Sequence, residues 1–371
     1  MYRITSNWPM PARPAVSDDI VATWEQAAAN ARSPLLVTEP LVAFLDDLSL
    51  GSGPLEAEPI GDGHSNVTYL VRRSSGAELI LRRPPRPPLP PSAHDVLREA
   101  RLLEALAPTA VRAPHVIAVC ADECVIGVPF YLMERARGNV ITTELPAELD
   151  NVEQRTNVAA ELIEALVEVH AADWRAAGLE DFGKPTGYLE RQLRRFGGLW
   201  EINRTRELEA VDSVGHWLAE HMPDSPAATI VHGDYRLGNT MFAAGAPARL
   251  VAVFDWEMAT IGDPLADVGY MCALWTEAGD GDRGMFALSE VTRGEGFPTR
   301  ERLVAMYEER SGRSMRDIRW YTTLALWKAT VFMEGNYKRA LAGATDDPYL
   351  RQFGDGVAQL AESALELTRG G

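Results

Sequence analysis

The chain has 371 residues, 46% of them apolar and 24% charged, with a net charge of −17. That length can fill a sizeable core in two lobes or domains. Its acidic balance argues against nucleic acid as a partner, and its three cysteines, with no CxxC pair, argue against a disulfide scaffold or a structural zinc site. Apolar runs such as 250–254 are too short to cross a bilayer. The first residues lack the apolar stretch of a secretory signal, so the expectation is a cytoplasmic protein with no membrane partner.

Residues 1–53 read as an N-terminal helical extension. A loose proline-rich start is followed by helix-like spacing over 18–31 and 40–50. From 55 to 83 the pattern changes to three short runs, LEAEPIG, NVTYLVR and AELILRR, separated by GDGHS and SSG. They predict three antiparallel strands joined by tight turns. The proline tract 83–92 reads as a stiff connector rather than a PPII ligand. Ser92 can cap a helix over 93–106, and strands are expected at 115–120 and 128–135.

Beyond 150 the chain is dominated by amphipathic helices, expected at 156–174, 188–201, 211–222, 263–275, 299–310, 318–341 and 355–369. Two strand-like pieces, 228–233 and 249–256, interrupt them. The fold class expected is α+β and bilobal. The extension precedes an N-lobe (54–136) with an antiparallel sheet and one helix, then a larger helical C-lobe (137–371).

GDGHSN (61–66) is no dinucleotide fingerprint, because a strand follows it where a helix is required. Alone it is an ordinary hairpin turn whose glycines let backbone N–H groups approach a ligand. The third strand ends in Arg82 and Arg83, which alternation alone does not separate, and Glu99 lies on the next helix. A strand cation paired with a helical carboxylate fixes nucleotide phosphates in kinases. The plainer reading is a surface arginine and a solvated glutamate.

VHGDYRLGNTMF (231–242) and VFDWE (253–257) carry the densest polar pattern. Phosphoryl transfer needs a carboxylate to orient the attacking hydroxyl and take its proton, a role Asp234 fits. It needs hard oxygen ligands for Mg²⁺, and Asn239 and Asp255 fit. His232 fits the ordering of the loop. Singly, Asp, Gly and Asn are turn formers; the order of all these features along the chain is what argues for one site.

In that order the chain resembles the aminoglycoside phosphotransferase and choline kinase superfamily, which shares the protein-kinase-like fold. HGDYRLGN resembles its catalytic loop, VFDWE its metal motif and GDPLADVGY the segment opening a buried helix. The resemblance covers about residues 55–340. It implies Asp234 as catalytic base, with Asn239 and Asp255 as Mg²⁺ ligands. It places Gly61, Gly63, Ser65 and Asn66 over the phosphates of ATP or GTP, and Arg82, where many relatives have lysine, on the same phosphates with Glu99. Met133 matches the gatekeeper, Glu134 and Ala136 the hinge whose backbone pairs with adenine, and Asp263 and Asp267 brace the loop. LILRRPP and the SN-x-TY hairpin resemble the branch that includes the kinase-like domains of acyl-CoA dehydrogenase fusion proteins.

The partner implied is a small-molecule hydroxyl acceptor, either aminoglycoside-like or a hydroxylated acyl or lipid-like metabolite. Candidate lining residues are Glu257, Tyr270, Trp275, Trp327, Glu334, Asn336 and Tyr337. Two rivals remain. A metallophosphoesterase lacks the GNH and DxH it needs here. A nucleotide-binding pseudokinase, an interaction module without turnover, keeps the same fold.

Overall fold

The computed structural model describes residues 19–61, 66–87, 89, 94–281, 289–343, 350 and 353–369. They form two compact units, one of residues up to Arg101 together with His115–Arg135, the other of Leu102–Pro114 together with Ala136 onward. The division passes through a helix, α2 (Val96–Leu106), rather than through a linker.

The first unit is built on a five-stranded antiparallel sheet: β1 (Leu55–Ile60), β2 (Val67–Arg73), β3 (Glu78–Arg83), β4 (Val116–Cys120) and β5 (Phe130–Glu134), in spatial order β1-β2-β3-β5-β4. The hairpin register is regular, with Val67 opposite Arg83 and Tyr69 opposite Leu81. This alternation sends Tyr69, Val71, Leu79 and Leu81 into one buried cluster with Leu132 and Phe130.

The N-terminal segment departs from the expected extension. Leu35, Leu36, Leu41 and Leu45 belong to that same cluster. The helix expected over 18–31 is confined to Trp24–Ala29, because Ile20–Val21 pairs as a parallel strand with Leu36–Val37. Thr23 sets the helix start, its hydroxyl accepting the Gln26 N–H at 3.2 Å. α1 (Thr38–Asp47) follows directly. The loose start expected over 1–18, most of the proline tract's end and the Ser92 cap lie outside the described residues. α2 begins with the Asp95 carboxylate accepting the Arg98 N–H at 3.0 Å.

The second unit holds α3 (Val152–Ala171), α4 (Tyr188–Asn203), α5 (Glu209–Glu220), α6 (Leu265–Leu274), α7 (Arg300–Ser311), α8 (Ile318–Leu341) and α9 (Phe353–Arg369). Four short strands lie among them: β6 (Thr229–Val231), β7 (Thr240–Phe242), β8 (Leu250–Val253) and β9 (Thr260–Gly262). β7 pairs with β8 and with Asn139–Val140, and β9 pairs with β6. Arg112 locks this region to α3. Its guanidinium donates to both oxygens of Glu168 at 2.8–2.9 Å and to Glu161 at 2.6 Å, while its carbonyl accepts the Val253 N–H at 2.7 Å.

α6 and α8 pack closely because Gly269 faces the backbone of Tyr321. A Cβ there would lie 2.5 Å from the Tyr321 carbonyl carbon, and backbone cannot swing aside. Gly269→Ala would gain up to about 1 kcal/mol of helix propensity and incur overpacking of about 1–3 kcal/mol. The expected outcome is net destabilisation, read as a lower urea midpoint with an unchanged m-value; an equal or higher midpoint would remove this packing argument.

Candidate active site

In the second unit the loop after β6 turns at Gly233, whose φ is +88°. A Cβ on Gly233 would meet the Met258 carbonyl oxygen at 2.8 Å, so glycine is required here twice over. His232, wholly buried, orders the loop with both ring nitrogens. Nδ1 accepts the Asp234 N–H at 3.2 Å and Nε2 donates to the Phe254 carbonyl at 2.8 Å. Because a carbonyl only accepts, the ring proton is on Nε2. Trp256 packs on the ring, with centroids 4.6 Å apart.

Asp267, in the first turn of α6, anchors the loop backbone. Its carboxylate accepts the His232 N–H at 2.7 Å, the Gly233 N–H at 2.8 Å and His170 Nε2 at 3.2 Å. The Tyr307 hydroxyl lies 2.6 Å from His170 Nδ1. Burial alone would raise the Asp267 carboxyl, but the His170 hydrogen bond and the surrounding donors hold it below its ordinary range. Burial pushes His170 below its ordinary value despite that carboxylate. Asp263 accepts the Leu265 N–H at 2.9 Å and the Tyr321 hydroxyl at 2.7 Å, and burial raises its carboxyl.

Asp234 itself is partly exposed. The Asn239 amide donates to its carboxylate at 2.7 Å and to its backbone carbonyl at 2.8 Å. Arg236 lies 3.6 Å from its other oxygen. Two oxygens facing one end of the Asn239 amide identify that end as nitrogen, so the amide oxygen points away from Asp234. The β7–β8 pairing brings the Asn239 carbonyl to the Phe254 N–H at 2.8 Å. Asp255 follows with φ +64°, a left-handed conformation that Asp tolerates better than most residues and that turns the chain at the end of β8. Tyr270, on α6, feels the Asp234 carboxylate. Burial first, then Asp234, with a smaller push from Asp255, raises its hydroxyl well above the ordinary value.

In the first unit, Glu99 is buried and accepts Arg82 Nε at 2.9 Å and the Asn66 amide at 3.3 Å. Arg82 also reaches the Thr68 hydroxyl at 3.3 Å. The two arginines that alternation leaves unresolved thus separate: Arg83 is buried and donates to the carbonyls of Leu35 and Pro84. Gly61 has φ +82° with open space around it; Gly63 and Ser65 lie outside the described residues. Met133 is buried in β5. The Glu134 N–H is taken by the His115 carbonyl at 2.9 Å, and Ala136 lies in the coil beyond.

The acceptor-lining expectations divide. Tyr270 feels the Asp234 charge, and Glu257 lies partly buried in the turn after Asp255. Five others are corrected. Trp275 and Trp327 are core residues whose indole N–H groups donate at 2.9 Å to the carbonyls of Pro298 and Val211. Glu334 is wholly buried and accepts from Thr205 N and Oγ1 and from Arg206. Asn336 is buried and accepts from Arg339, while Tyr337 packs on Gly354 and Arg206. For Trp275, Trp327, Glu334 and Asn336 the protein's own packing uses the polar atom that made the residue look like a ligand contact. The expectations did not include Tyr188 and Lys328, which join Gly233, Tyr270 and Asp267 around a small cavity.

The profile of the Phosphotransferase enzyme family matches residues 56–320. A mouse protein, acyl-CoA dehydrogenase family member 10, is 34% identical over 318 residues, which is 85% of this chain and 29% of that protein. The chain spans less than half the length of the other curated relatives, such as chicken acyl-CoA dehydrogenase family member 11 at 30% identity. A crystal structure from Ralstonia eutropha, provisionally named an aminoglycoside phosphotransferase, is 32% identical with a TM-score of 0.76 over 90% of this chain and 98% of that one. A complex of the aminoglycoside phosphotransferase APH(4)-Ia with AMP-PNP and hygromycin B shares the fold at TM-score 0.58 and 17% identity, covering 90% of this chain and 100% of that one. Among the described residues no helix is long and apolar enough to cross a membrane. With a profile match over most of its length and relatives above 30% identity, this α+β chain of protein-kinase-like fold belongs to the Phosphotransferase enzyme family.

Proposed function

We propose that the chain is a Mg²⁺-dependent small-molecule kinase that moves the γ-phosphoryl group of ATP or GTP to a hydroxyl. The observation that carries this reading is the Asp234 carboxylate held at 2.7 Å by the Asn239 amide, on a loop whose backbone is clamped by Asp267. Asp234 would accept the proton of the attacking hydroxyl as its oxygen bonds to the γ-phosphorus. The bond from that phosphorus to the β–γ bridging oxygen breaks, and the nucleoside diphosphate leaves. A rigid base suits this chemistry, because positioning and electrostatics supply most of the rate.

Asn239 and Asp255 would hold Mg²⁺. One amide oxygen and one carboxylate are hard donors suited to it. Among the described residues no cluster of three His, Cys, Asp or Glu forms a closed cage. This fits an ion that takes its remaining ligands from phosphates and water. Bound there, the ion would offset phosphate charge. Arg82, steadied by Glu99, and the turn of Gly61, Gly63, Ser65 and Asn66 would meet the phosphates. Met133, the Glu134 carbonyl and Ala136 would meet the adenine. The nucleotide analogue in the APH(4)-Ia complex supports the nucleotide part of this reading.

Asp234→Asn is expected to lower kcat by about 10²–10⁴-fold while Mg-nucleotide affinity changes little. Turnover within a few-fold of the parent would overturn the base assignment. Asp255→Asn should raise the Mg²⁺ concentration for half-maximal rate by about tenfold or more, and an unchanged Mg²⁺ dependence would refute the ligand role. Nucleotide binding with no phosphorylated product across a panel of hydroxyl compounds would instead leave a nucleotide-binding interaction module.

A further inference from the structure

Asp234 and Arg236 face the same way for a local reason. The backbone at Arg236 is extended, with φ −156° and ψ 162°, so side chains two positions apart share a face. Tyr235 and Leu237 take the other face and are buried. The Tyr235 hydroxyl donates to the Leu162 carbonyl at 2.6 Å, and the Leu237 carbonyl accepts the Thr240 hydroxyl at 2.7 Å. Asp234 and Arg236 are left partly open, with 24% and 26% of their side-chain surface exposed.

The Arg236 guanidinium is close to Asp234 but not spent on it. Nε lies 3.6 Å from Oδ1, beyond the roughly 2.7–2.9 Å of a charge-assisted hydrogen bond. Among the described residues the guanidinium makes no hydrogen bond, whereas that of Arg112 is taken up by Glu161, Glu168 and the Leu250 carbonyl. Gly238 makes room for it. A Cβ at 238 would collide with Arg236 Nη1 and lie 3.3 Å from Cζ. The loop thus holds a cation with spare N–H donors beside Oδ1 of Asp234, while the Asn239 amide takes Oδ2.

We propose that Arg236 is a catalytic residue whose guanidinium donates to the non-bridging oxygens of the γ-phosphoryl group as that group passes to the hydroxyl held by Asp234. This deepens the kinase reading and rests on it. The attacking oxygen touches Asp234 and gives it a proton. That oxygen bonds to the γ-phosphorus, and the bond to the β–γ bridging oxygen breaks, its electron pair leaving with the nucleoside diphosphate. The three non-bridging oxygens carry charge through the transition state. They lie one bond from an oxygen in contact with Asp234, so a guanidinium flanking that carboxylate meets them. Its planar fork matches two phosphoryl oxygens at once, and it keeps its own protons throughout.

The test is calorimetric titration of the full chain with Mg-ADP, with and without aluminium fluoride, which mimics the phosphoryl group in transit. In the parent, aluminium fluoride is expected to tighten Mg-ADP binding by about tenfold or more. Arg236→Gln should lose that gain while its affinity for Mg-ADP alone stays within about threefold of the parent. Arg236→Lys should keep part of the gain, and Gly238→Ala, whose new methyl displaces the guanidinium, should reduce it. Asp234→Asn, which removes the ion pair, should keep a gain that still depends on Arg236. No gain in the parent, an undiminished gain in Arg236→Gln, or an equal loss of Mg-ADP affinity with and without aluminium fluoride would overturn the proposal. So would a gain that Asp234→Asn abolishes, since Arg236 would then act only through the base. Thermal midpoints of the variants confirm that they are folded. The two readings fail separately: a parent that binds no Mg-ADP removes the kinase and this role together, whereas tightening that survives Arg236→Gln removes this role alone.

Discussion

The loop after β6 has its shape because one buried carboxylate holds it. Asp267 stands in the first turn of α6 and receives two successive backbone N–H groups, those of His232 and Gly233, together with the His170 ring. A buried carboxylate without donors is costly, and one with three is a rigid fixture. Two backbone amides offered together fix a plane as well as a point, so the chain leaves Gly233 in one direction. His170 carries the restraint to α3 and, through Tyr307, to α7. The loop is thereby tied to three helices before its own functional side chains are considered.

The β7–β8 pairing supplies the second restraint. It is short, but its ends are what the site needs: Asn239 enters β7 and Asp255 leaves β8. Hydrogen bonds from Phe254 to Asn239 and from His232 to Phe254 close a ring around the two motifs. Asn239 and Asp255 stand sixteen positions apart along the chain, while one antiparallel register, Thr240 opposite Val253, brings their strand ends together. That is why two motifs that look like unrelated turns can act as one constellation. In the first unit Glu99 has the corresponding role, gathering Arg82 and Asn66 onto a single buried oxygen.

The elements legible in the sequence are those with a period. The three strands of the hairpin run and the long helix 318–341 fall within a residue or two of their expected limits. β7, β9 and Asn139–Val140 were not foreseen, because two or three residues carry no alternation to read and their pairing is a tertiary event. The N-terminal segment was misjudged for the related reason that Ile20–Val21 is a strand only because Leu36–Val37 lies beside it. At the candidate site, the polar residues of the two motifs stand out in the sequence because phosphoryl transfer would constrain which groups can serve. The supports are not: nothing in VEVHAAD marks His170 as the partner of an aspartate 97 residues later.

The acceptor wall is harder to read for a physical reason. Tryptophan, tyrosine and glutamate on a helix have the same composition whether they face a ligand or a neighbouring helix. Trp275, Trp327 and Glu334 each found a protein partner. What distinguishes a ligand-facing group is an unmet demand, visible only once every neighbour is placed. The reaction is therefore written in short motifs because transfer of a phosphoryl group dictates residue types. The motifs leave the acceptor open, because one fold can carry the same phosphoryl-transfer groups beside different neighbouring side chains.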